Sequence, residues 1–95
     1  MHQRRIRLQA EHAAFPLWEA SATEPPTDID PRTLGLSEPT IDALLRWNDR
    51  YAELALEHSR ASRADDWAAW NAEGRRLTHQ LRTELGRNVT ILSDL

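Results

Sequence analysis

Residues 20–35 read ASATEPPTDIDPRTLG. The stretch is rich in Pro, Thr and Asp and carries neither the 3.6-residue period of a helix nor the two-residue period of a strand, so Glu19 to Leu36 reads as an extended loop. That reading decides the fold, because it leaves one strand before the loop and two helices and one strand after it. A structureless loop of this length is uncommon in so small a domain, and that marks the 19–36 segment as a place to look for function.

Working back toward the N-terminus, residues 5–12 alternate. Ile6, Leu8, Ala10 and His12 fall on one side and Arg5, Arg7, Gln9 and Glu11 on the other, which predicts a half-buried strand over residues 4–12. The next stretch, EHAAFPLW at 11–18, sets an acid beside a histidine ahead of two aromatics flanking a proline. Within a strand Glu11 and His12 point to opposite faces and cannot pair, so His12 is expected as a partly buried strand-end residue. Phe15, Leu17 and Trp18 are expected to fold down over the end of the core, aimed by a turn fixed at Pro16.

Working forward, Ser37 opens a helix over 37–58 with Pro39 tolerated in its first turn. Asp42, Arg46, Asp49, Arg50, Glu53 and Glu57 share one arc. The rest of the helix is so apolar that contact from at least two directions is expected. Ser62 with Asp65 resembles a capping box and starts a second helix over 63–85, whose apolar arc holds Trp67, Trp70, Leu77 and Leu81. Gly74 lies in that arc, which suggests close approach of a ring such as Trp47 or Tyr51. Gly86 reads as a left-handed cap, followed by a strand over 88–92. The expected fold is α+β in the order β-α-α-β: a two-stranded sheet of the N- and C-terminal strands packed on an antiparallel helical hairpin. The two strands are expected to be antiparallel, since that pairing needs no long crossover.

Ninety-five residues suit a single domain. Twelve basic residues, all arginine, against fifteen acidic ones give a net charge of −3, which argues against nucleic-acid or anionic-membrane partners. The arginine-only usage also suits a GC-rich genome. With no cysteine, disulfides, thiolate nucleophiles and the common structural zinc sites are excluded. The N-terminal MHQRRIRLQAEH has arginines but no apolar run after them, so neither a signal peptide nor an anchor is expected, and a cytoplasmic location is the default.

No catalytic or metal-binding constellation stands out. No two histidines are four apart, GxSxG and HExxH are lacking, and the glycines at 35, 74 and 86 form no phosphate loop. His58 sits at the end of the first helix, where its protonated form would suit the helix dipole. Asp28 and Asp30 offer too few oxygens for calcium and read as turn residues. No catalytic residue, metal or cofactor is expected.

Two candidate sites remain. Arg75, His79 and Arg82, with Arg76 beside them, form a basic ridge on the second helix. It is either an ordinary solvated face or a docking surface for an acidic protein. His12, Phe15, Trp18, Trp47 and Tyr51 could line a pocket at the end of the hairpin, with the loop as a lid.

The segments RIRLQAEHAAFPLWE, DIDPRTLGLS, LLRWNDRYAEL and EGRRLTHQLRTELG together resemble a group of small uncharacterised proteins from high-GC actinobacteria. The resemblance implies a single bacterial cytoplasmic domain and carries over no activity and no site residues. The leading expectation is a non-catalytic interaction protein, antitoxin- or immunity-like, that forms a homodimer or binds another protein. The alternative is a small-molecule pocket or minor enzyme at the end of the hairpin, and nucleic-acid binding through the ridge is the least favoured.

Overall fold

Alternation at the N-terminus makes a strand of Arg4–Leu8 (β1), with Ile6 and Leu8 buried and Arg5 and Arg7 on the opposite face. The structure, a computed structural model, describes residues 4–20, 27–56 and 63–95. After β1 come strands Leu17–Glu19 (β2) and Thr27–Ile29 (β3), a 3₁₀ turn at Pro31–Thr33, helices Glu38–Leu56 (α1) and Arg63–Leu85 (α2), and strand Val89–Leu92 (β4).

The two helices between N- and C-terminal strands are as the sequence implies, but the sheet has four strands in the order β3-β2-β1-β4. The supposed 19–36 loop therefore contributes β3, while β2 begins just ahead of it. Each is three residues long, too short to display a period, and each is fixed by one buried anchor. Leu17 pairs with both Leu8 and Ile29, making an apolar row across three strands, and Ile6 pairs with Ile91 to make a second.

The direction of the last strand also differs from expectation. β1 and β4 are parallel. Arg82 near the end of α2 reaches the Ile91 carbonyl, and Asn48 in mid-α1 reaches the chain just after β1, so α1 runs with β1 and β4, and α2 runs against them. The segment 30–37 carries the chain back from the end of β3 to the start of α1. With the β-meander and both helices lying between β1 and β4, the crossover that a parallel pair requires is present.

Pairing of β1 stops at Leu8 rather than at residue 12, because the chain is captured elsewhere. The Asn48 side chain, buried in α1, accepts from the Glu11 N–H at 2.9 Å and donates to the carbonyls of Glu11 and Ala14 at 3.1 and 2.7 Å. Ala13 adopts φ of 61° in the turn so formed. His12 is consequently exposed rather than partly buried. Leu17 closes the core as expected, but Trp18 must face the other side of the sheet, where its indole N–H donates to the Gln9 carbonyl at 3.0 Å. Asp28 accepts from the Phe15 N–H, and Asp30 caps the 3₁₀ turn.

Both helices cover one face of the sheet, where Leu44, Trp47, Leu77 and Leu81 meet Ile6, Leu8, Leu17, Ile29 and Ile91 in one core. The apolar breadth of α1 is met within the chain, by α2 on one side and the 11–15 turn on another. At about 1.5 Å per residue, the 23 residues of α2 far outreach the five of β1, so the distal hairpin packs on itself. Gly86 has φ of 74° at the end of α2 and donates its N–H to the Arg82 carbonyl, as a left-handed cap requires. The Ser62–Asp65 capping box, His58, Glu57 and the 21–26 stretch of the loop lie, in whole or in part, outside the described residues.

Candidate protein-docking site

The hairpin is joined by a pair of tryptophans, one on each helix. Trp47 and Trp70 stack with ring centroids 4.4 Å apart and 6° between planes. Each indole N–H donates to the other residue's backbone carbonyl, at 3.0 and 2.9 Å. Tyr51 and Trp67 extend the cluster, with centroids 5.5 and 5.6 Å from that of Trp70. Such pairing satisfies both polar ends of the rings and fixes the two helices in register.

Beside this pair a cleft of about 400 Å³ lies between the two helices. Ala43 and Ala69 keep its walls low, and Arg46, Arg50, Asp66, Glu73 and Arg76 form the rim. Arg76 binds Glu73 through Nε at 3.1 and 3.0 Å, which holds the Glu73 carboxyl below its ordinary range and raises Arg76. Arg50 binds Glu53 at 3.0 Å and lies 4.0 Å from Asp66. Arg46 reaches only the Asp42 carbonyl, at 3.5 Å. It has no carboxylate partner among the described residues.

The basic ridge lies next to this cleft on the outer face of α2. Arg75, Arg76, His79 and Arg82 are all exposed, but they are not equivalent. Arg76 is committed to Glu73, and Arg82 donates to the Ile91 carbonyl at 3.0 Å. The side chains of Arg75 and His79 make no hydrogen bond or ion pair with any described residue. The residues considered for a pocket are dispersed. Trp47 and Tyr51 meet in the aromatic cluster, whereas Phe15 lines a second cleft of about 330 Å³ with Ala14, Asp28, Leu45 and Asn48. His12 is exposed on the turn, and Trp18 lies on the opposite face of the sheet.

Sequence reasoning placed Trp70 in an apolar arc and Arg46 in a charged one without joining them. The signal that could have located the cleft is the tryptophan that each helix carries among its apolar residues, Trp47 and Trp70, which an antiparallel hairpin can set against each other. No helix among the described residues is long and apolar enough to cross a membrane.

No curated protein matches the chain. A family model, Serratia CdiI immunity protein-like, matches residues 4–93. That span runs from the first residue of β1 to just past β4 and takes in the whole sheet and both helices. An immunity-like family implies a non-catalytic domain whose partner is another protein, and the chain belongs to the Serratia CdiI immunity protein-like family.

Proposed function

We propose that the chain is an immunity protein that binds one cognate toxin protein in the cytoplasm of a high-GC bacterium and docks it through the helical hairpin. The observation that carries the reading is the match of residues 4–93 to an immunity-like family. The hairpin is favoured as the docking element because Arg75 and His79 stand exposed on it without intramolecular partners among the described residues, in a chain of net charge −3. An arginine left unpaired in an acidic protein suits an acidic patch on a partner. The arginine-only basic set supports the GC-rich source.

The test is co-expression with the protein encoded by the adjacent gene. The expected outcome is a stable complex that survives size exclusion, with Arg75→Glu/His79→Glu slowing association about 5- to 10-fold at low salt and less at high salt. A chain that captures nothing from that co-expression contradicts the reading.

A homodimer is the second reading, favoured by Leu56, which stands 76% exposed at the end of α1. Light scattering of the chain alone over a range of concentrations is expected to give twice the 10.9 kDa monomer mass. A monomer at all concentrations removes this reading and leaves Leu56 to the hetero-partner.

A further inference from the structure

The cleft between α1 and α2 has a prepared interior. Trp47 is 3% exposed and lies beneath, holding Trp70 flat, while the half-buried Trp70 ring and the methyls of Ala43 and Ala69 supply the accessible floor. Both indole N–H groups are engaged by backbone carbonyls, so the floor offers carbon and no donor. A rigid apolar floor of this kind loses little on binding, because its side chains are ordered beforehand.

The rim carries a specific charge balance. Arg50 and Arg76 are answered by carboxylates of the chain itself, Glu53 and Asp66 for the first and Glu73 for the second. Among the described residues Arg46 is not, since its contact there is to a backbone carbonyl at the limit of hydrogen-bond distance. One guanidinium therefore stands uncompensated next to an apolar surface.

We propose that this cleft is the anchor site for the protein partner, and that it takes a surface segment in which a single Asp or Glu stands beside a large apolar or aromatic side chain. The ring lies on the Trp70 floor, and the carboxylate meets Arg46 through two parallel N–H···O bonds. A run of several acids is disfavoured, because additional carboxylates would face Asp66 and Glu73. A basic segment would face three guanidiniums. The inference rests on the protein-binding reading above and specifies the chemistry of its site.

The two surfaces separate kinetically. An exposed ridge steers encounter and acts on the association rate, whereas a filled, desolvated anchor acts on dissociation. The experiment is surface plasmon resonance of the full chain against the protein encoded by the adjacent gene, with thermal melts to confirm that each variant folds. Arg46→Glu and Ala69→Trp, one reversing the charge and the other filling the cleft, are expected to speed dissociation about 10- to 100-fold. Arg75→Glu/His79→Glu is expected to leave the dissociation rate within about twofold. Among partner variants with single acids changed to arginine, one should restore slow dissociation to the Arg46→Glu chain. Unchanged dissociation in both folded cleft variants, or rescue by no partner acid, overturns the anchor while the protein-binding reading stands. Absence of any complex with the unmodified chain overturns both.

Discussion

Glu84 shows how one carboxylate can join two helices. It sits near the end of α2 but accepts from the Ser37 N–H at 2.7 Å, from the Ser37 hydroxyl at 3.1 Å, from Gln80 at 2.7 Å and from the Thr40 hydroxyl. It thus places a negative charge at the N-terminus of α1, where the helix dipole favours one. Partial burial pushes its pKa up, but the hydrogen bonds from Ser37, Thr40 and Gln80 outweigh it and bring the carboxyl from its ordinary 4.5 down to about 2. A lowered folded-state value means that the stabilisation is full above about pH 4.5 and is lost as pH falls toward about 2. Glu84→Gln should therefore cost about 1–2 kcal/mol at pH 7, allowing for solvent screening, and almost nothing near pH 2. Urea melts of both proteins at the two pH values check this; an equal cost at both would contradict it. Sequence gave no hint of this contact, since Ser37 and Glu84 lie 47 residues apart. Nor did it reveal Asn48, a polar residue in the middle of a helix whose bonds to Glu11 and Ala14 explain why EHAAFPLW turns instead of extending. Long-range side-chain hydrogen bonds leave no periodic trace.

The two helices were legible because each is long enough to repeat its pattern several times. β2 and β3 were not, because a three-residue strand beside prolines carries one inward residue and no repeat. Gly74 was legible for a local reason: glycine in a helix interior calls for a close neighbour. A Cβ there would come within 2.9 Å of Trp47 Cζ2 and would collide with the Leu95 side chain. Leu95 can move aside, but Trp47 is fixed by its stack on Trp70 and its hydrogen bond. Gly74→Ala should thus destabilise the protein by about 1–3 kcal/mol, even though alanine is the better helix former by about 1 kcal/mol. Denaturant unfolding measures this, and a variant as stable as the parent would show that the hairpin relaxes around the new methyl.

Across the whole molecule, the fold sets a helical hairpin over one face of a small mixed sheet and lets its distal half reach beyond it, giving dimensions of 49 × 27 × 20 Å. Fold class and the hairpin followed from hydrophobic pattern. Strand number and direction did not, because β2 and β3 are too short to show a period and the return of residues 30–37 to the start of α1 is a matter of tertiary path. The candidate site was legible only in part. The arginines of α2 could be read from spacing, but which of them are already paired depends on Glu73 and on the Ile91 carbonyl. Family membership points to a protein partner, and Arg46 and Arg75, without carboxylate partners among the described residues, lie with the tryptophan-floored cleft on the hairpin. The most direct measurement is hydrogen exchange of the chain alone and in complex with the protein encoded beside it. Slowed exchange concentrated in residues 43–50 and 66–82, with the sheet unchanged, is the predicted result. Protection confined to the β3 or β4 edge, with the hairpin unaffected, would contradict docking through the helices.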